Sequence, residues 1–165
     1  MIGISKVTRR FVHAGVLILG LGLAGGALAD EVTTYRSTAP FDEVHRDLAD
    51  AIINRGYVID YEAHIGKMLA RTATDVGASQ ILFAKGRANT MQFCSAVLSR
   101  DTMQADVMNI AYCPYVLFVY QARLDDPTVT IGFRRLPERG SAESKSALAI
   151  VNKLLDDIAR EAAGQ

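Results

Sequence analysis

Two cysteines, Cys94 and Cys113, are the residues of this 165-residue chain best suited to chemistry. They bracket "CSAVLSRDTMQADVMNIAYC", with 18 residues between them. Three chemistries are open to such a pair: a disulfide, a reactive thiol, or soft ligation of a metal or haem. Closing a loop of this size would stabilise a fold by about 3 kcal/mol in the chain-entropy account. A cysteine before proline, as in Cys113-Pro114, is compatible with a thiolate axial ligand to haem. No C-x-x-C-H run is present, so covalent c-type attachment is excluded.

Other polar residues offer less. Tyr112, Tyr115 and Tyr120 gather around Pro114, and the odd spacing of Tyr115 and Tyr120 sends them to opposite faces of a regular strand. His64 and Met68 are four apart and would stack on a helix as a soft copper pair, although Met68 also completes an apolar stripe, and packing is the better account of it. His45 falls on the polar side of a helix; Met91, Met103 and Met108 read as core filler. Ser95 and Ser99 lack a nucleophile-elbow context, and Glu43, Asp60 and Glu62 read as solvated acids. Arg134, Arg135 and Arg139 either clamp an anion or guard a sheet edge with charge. No catalytic set emerges. The ligand-binding candidates are Cys94, Cys113, Pro114, Tyr115 and Tyr120; the metal candidates are Cys94, Cys113, His64 and Met68. No cofactor is assigned.

The compartment sets the odds on the thiols. Residues 1–29 carry Lys6, Arg9 and Arg10, then "AGVLILGLGLAGGALA" ending in Ala27-Leu28-Ala29, the form of a cleaved secretory signal. The apolar run is shorter than the ~20 residues a spanning helix needs. Arg9-Arg10 followed directly by Phe11 leaves both general and twin-arginine export open. The expected location is the periplasm, with no stable membrane anchor after cleavage. Removing three basic residues from a chain with 18 of each sign leaves a net charge of about −3. Such a surface carries no footprint for nucleic acid. An oxidising space and an even cysteine count favour pairing.

The elements that must position these groups follow from periodicity. "EVTTYRS" (31–37) alternates as a strand. Residues 40–55 form a helix with Phe41, Val44, Leu48, Ala51 and Ile52 on one stripe. "YVIDYEAHI" is a strand and "GKMLARTATDVG" a short helix with Met68, Leu69, Thr72 and Val76 on one face. A strand ends at Cys94, and residues 96–110 read as a helix through Val97, Met103, Val107 and Ile110. "YVLFVYQAR" and "TVTIGFRRL" make a hairpin across "LDDP". The final helix, 141–163, shows Ala147, Val151, Leu154, Ile158 and Ala162 at helical spacing. The order β-α-β-α-β-α-β-β-α predicts a single α+β domain over 30–165, its sheet mainly antiparallel with helices on one face.

"TTYRSTAPFDEVHRDLADAIINRGYVID", "MQFCSAVLSRD" and "CPYVLFVYQ" together resemble the domain-of-unknown-function 302 family over roughly residues 32–136. Phe41, Glu43, Gly56, Tyr57, Cys94, Pro114 and Tyr120 match its pattern. Ser95-Ala96 stand where that pattern has Asn-Pro, and Tyr115 stands where it has a second cysteine. The resemblance implies a compact, often self-associating α+β domain, hence a homodimer, with no agreed activity. The functional expectation is an exported, non-catalytic binding or accessory domain for a small ligand or envelope protein. The alternative is a thiol- or metal/haem-dependent redox or sulfur-handling protein using Cys94.

Overall fold

The computed structural model describes residues 31–165. The signal segment expected at 1–29 lies outside the described residues. In chain order the elements are β1 (Val32–Ser37), α1 (Phe41–Ile53), β2 (Ile59–Ala63), α2 (Ile65–Thr72), β3 (Ala88–Phe93), α3 (Ala96–Ala105), β4 (Tyr115–Gln121), β5 (Val129–Arg134) and α4 (Ala142–Ala162). Short 3-10 turns at Ala84–Gly86 and Val107–Tyr112 lead into β3 and β4. The element order is the expected one, in a single α+β domain. Five strands form one antiparallel sheet in the order β1-β5-β4-β3-β2.

Alternation along the strands sends one set of side chains toward the helices. Met91 and Phe93, Leu117 and Val119, and Val129, Ile131 and Phe133 are fully buried. Against them lie Phe41, Val44, Leu48, Ala51 and Ile52 of α1, the stripe its periodicity predicts. Asp42 and Glu43 occupy the first turn of α1, where the helix dipole favours negative charge. Ser141 caps α4 by accepting from the Ser144 amide.

Helix α4 is turned relative to the expected stripe. Leu148 and Leu155 are buried, whereas Leu154 is half-buried. The cause is Asn152, which is buried on what reads as the polar face. Its Oδ1 accepts from the Leu136 amide at 2.8 Å and its Nδ2 donates to the Leu136 carbonyl at 2.9 Å. Backbone groups just past β5 therefore gain partners that a leucine could not supply.

The segment 96–110 departs further from expectation. The helix stops at Ala105, and Asp106 turns extended to accept from the Met108 amide at 2.9 Å. Val97, Val107, Met108 and Ile110 are exposed, and Thr102 and Asn109 are buried instead. Asn109 donates to the Thr102 carbonyl and to Ser144 Oγ, both at 2.9 Å. A polar network, rather than an apolar stripe, docks this segment on α4. Helix α2 is likewise shorter than expected, ends at Thr72, and leaves Val76 exposed.

Candidate functional site

The register of β3 and β4 fixes the cysteine end of the sheet. Phe93 pairs with Tyr115, so Cys94, one residue past β3, and Cys113, two residues before β4, must lie side by side. Their Sγ atoms are 2.8 Å apart. Ser99 Oγ of α3 sits 3.5 Å from the Cys113 sulfur. Cys94 is exposed and Cys113 half-buried. As a dithiol, burial and the neighbouring Cys113 push the Cys94 thiol up to about 12. That shift opposes a reactive thiolate at neutral pH. The Cys113–Pro114 peptide is cis.

Beside the cysteines lies a cleft of about 660 Å³. Tyr112, Pro114 and Tyr115 form one wall; Arg134, Arg135 and Arg139, from the end of β5 and the segment after it, form the other. Arg135 pairs with Glu138 at 3.1 Å. Among the described residues neither Arg134 nor Arg139 forms an ion pair. Tyr115 is 2% exposed, and its hydroxyl makes no hydrogen bond. Burial raises its pKa, opposed by the nearby Ser99 and Thr102 hydroxyls.

At the opposite end of the sheet, a second constellation forms around Glu62. Strand β2 carries an irregularity between Ile59 and Tyr61, where Ile59 pairs with Phe93 but Tyr61 with Gln92. This bulge inverts the phase of the strand. Glu62 consequently pairs with Met91 and shares the helix side of the sheet. Its Oε1 receives Asn89 Nδ2 at 2.5 Å and lies 2.6 Å from His45 Nε2 and 3.5 Å from His64 Nδ1. Burial pushes the Glu62 carboxyl up, but its hydrogen bonds with His45 and Asn89 outweigh that and hold it below the ordinary glutamate value.

No family model matches the sequence, and no curated protein matches it. Among solved structures, the chain is similar to the crystal structure of an uncharacterized conserved protein, DUF302, from Bacillus stearothermophilus. The similarity has a TM-score of 0.65 at 15% identity and covers 79% of this chain and 97% of that one. The chain has a DUF302-like fold. The neighbour is itself uncharacterized, so the likeness concerns architecture.

Within that DUF302-like sheet the candidate residues separate into groups. Cys94, Cys113, Pro114 and Tyr115 converge at one end. Tyr120 lies on the sheet's other face, stacked on Phe118 at 6.1 Å and edge-on to Phe83 at 5.7 Å, and does not line the cleft. His64 turns toward Glu62, and Met68 beside it is 40% exposed, short of the packing its stripe implies. Among the described residues no group of three or more His, Cys, Asp or Glu side chains is placed to hold a metal ion. Sequence reasoning missed the union of His45, Glu62 and Asn89. The bulge that creates it leaves only a weak trace, the run Asp60-Tyr61-Glu62, which breaks strict alternation within the strand.

Proposed function

We propose that this is an exported, non-catalytic binding domain whose ligand is a small organic anion held in the cleft between Tyr112, Pro114, Tyr115 and the three arginines. The observation that supports this reading is the meeting of an apolar wall with Arg134 and Arg139, cations that form no ion pair among the described residues. Aromatic and proline surface would take the body of such a ligand, and a guanidinium would take its carboxylate or sulfonate. The cleft volume lies within the range of about 300–1,000 Å³ that accommodates small organic ligands. Export is supported by the basic-apolar-small pattern of residues 1–29.

In the same reading Cys94 and Cys113 form a disulfide that braces the cleft wall. The sulfurs need to close by less than about 1 Å to reach bonding distance. The elevated Cys94 pKa counts against the alternative of a nucleophilic thiol.

The aromatic sulfonate 8-anilinonaphthalene-1-sulfonate provides a direct probe. The expected result is saturable fluorescence enhancement, weakened about fivefold or more in Arg134→Ala and Arg139→Ala at constant ionic strength. Enhancement that does not saturate, or equal affinity in both variants, overturns the assignment of the cleft.

A further inference from the structure

The Glu62 end of the sheet holds a separate pocket of about 270 Å³, lined by His45, Lys67, Lys85, Arg87 and Asn89 with Asp42 at its side. It shares no lining residue with the arginine cleft. Its charges are unevenly matched. Glu62 already has His45, Asn89 and His64 around it, whereas among the described residues Lys67, Lys85 and Arg87 form no ion pair. The Arg87 guanidinium is held in place by Gln121 Oε1 at 2.7 Å and by the Phe41 ring, whose centroid is 5.7 Å away. Asp42 is the one acid lining the pocket, so cations outnumber acids there.

The backbone is shaped to keep these cations together. Lys85 has φ 47° and ψ 29°, a left-handed conformation uncommon for a side chain of its kind, and Gly86 follows at φ 71°. The turn is held by direct backbone contact with α2, since a Cβ on Gly66 would lie 2.4 Å from the Gly86 carbonyl oxygen. A Cβ on Gly86 would in turn meet the Lys67 side chain at 3.3 Å. Two close-packed glycines thus bring Lys67 of α2 beside Lys85 of the turn, and a left-handed non-glycine residue in such a place is a recognised mark of a functional site.

Glu62 also fixes His45. With the carboxylate as acceptor, His45 Nε2 donates to it, the arrangement in which a carboxylate fixes the orientation of an imidazole ring. Buried Asn89 donates to the same carboxylate oxygen and helps to hold it in place. The imidazole is thereby presented to the pocket as an oriented polar group.

We infer that this pocket binds a phosphate group, as inorganic phosphate or a small phosphate monoester, with Lys67, Lys85 and Arg87 as its cationic contacts and the His45 imidazole hydrogen-bonded to one of its oxygens. A dianion with several acceptor oxygens matches three separate cations better than a single carboxylate does. The pocket is smaller than the range of about 300–1,000 Å³ typical for drug-sized ligands, which limits the ligand to the phosphate and a few further atoms.

Titration of the full mature protein with orthophosphate, and separately with glycerol 3-phosphate, tests this by NMR at constant ionic strength in chloride. The expected result is saturable shifts of the Asn89 side-chain amide and the His45 imidazole. Lys67→Ala and Lys85→Ala each weaken binding about five- to tenfold, and Arg139→Ala, in the other cleft, leaves it unchanged. Tighter binding of glycerol 3-phosphate identifies a monoester ligand, and tighter orthophosphate the free ion. Shifts that fail to saturate at millimolar phosphate, or that persist unweakened in the Lys67→Ala/Lys85→Ala double variant, overturn the site. The sulfonate probe of the arginine cleft reads independently of this result.

Discussion

The two ends of one sheet are organised on opposite principles. At the cysteine end, groups largely satisfy one another: sulfur meets sulfur at 2.8 Å, Arg135 meets Glu138, and Asn152 closes the Leu136 backbone. At the histidine end, one carboxylate gathers two imidazoles and an amide, while three nearby cations form no ion pair among the described residues. The first arrangement braces the fold and, among the described residues, leaves Arg134 and Arg139 without an ion pair at its margin. The second leaves its charge imbalance in the middle of a pocket. Imbalance held by rigid backbone, more than residue type, distinguishes a surface prepared for an outside group from a solvated face.

Helix α4 supports the sheet from which both ends are built, so disrupting it should abolish the contrast. Leu155 is 1% exposed, and Leu155→Asp places an unpaired charge in the core. The expected loss is about 4 kcal/mol or more, enough to unfold much of the population. Leu155→Ala should cost about 3 kcal/mol and half-buried Leu154→Ala about 1 kcal/mol, read from denaturant midpoints. Equal costs would show that α4 is not turned as described.

Removing one sulfur tests the cysteine end alone. With the bridge formed, Cys113→Ser should lower stability by about 3 kcal/mol, and a reducing agent should reproduce that loss in the wild type. Cys94 then becomes alkylatable. Intact mass of unreduced, alkylated wild-type protein showing two added labels means the bridge is absent.

The contrast also explains what the sequence disclosed. Cys94 and Cys113 were legible as a pair because cysteine is rare here and the strands flanking them are apolar, alternating and joined through one short helical segment. The α1 stripe was legible for the same reason, its burial being decided by period alone. The histidine end needs long-range register. Counting alternation from Ile59 puts Tyr61 and Ala63 on the helix side, and only the bulge puts Glu62 there. His45 does lie on the polar side of α1, as its position suggests, but that side borders β2 rather than open water. Around Asn109, the residues that dock 96–110 are polar, so an apolar pattern pointed to the wrong face.

Disturbing the histidine end alone calls for Gly66→Ala. The added methyl would meet the Gly86 carbonyl oxygen and carbon at 2.4 and 2.6 Å and the Ala88 amide nitrogen at 2.9 Å, all backbone atoms that have little room to yield. Alanine's better helix propensity, worth about 1 kcal/mol, offsets only part of that clash. A net loss of about 2 kcal/mol is expected. Amide exchange should accelerate at Lys85–Arg87 with Cys94–Tyr115 unaffected. A stabilised variant would mean that α2 and the turn are free to separate, which removes the rigid support for the lysine cluster.

The smallest expected effect sharpens the account of the cysteine end, and its sign is the informative part. The Tyr115 hydroxyl is buried and makes no hydrogen bond; nearby, Thr102 Oγ1 donates to the Ser99 carbonyl at 3.0 Å and Ser99 Oγ faces Cys113. An unpartnered buried hydroxyl destabilises the folded state, and removing it leaves the ring's edge contact with Phe93, at 5.9 Å between centroids, in place. Tyr115→Phe should therefore leave stability unchanged or raise it by up to about 1 kcal/mol. The same substitution at a hydrogen-bonded tyrosine would cost about 1 kcal/mol. A loss of that size in the denaturant midpoint would mean that the hydroxyl has a partner in solution, with Ser99 or Thr102 turned toward it and the thiol pair correspondingly less supported by α3.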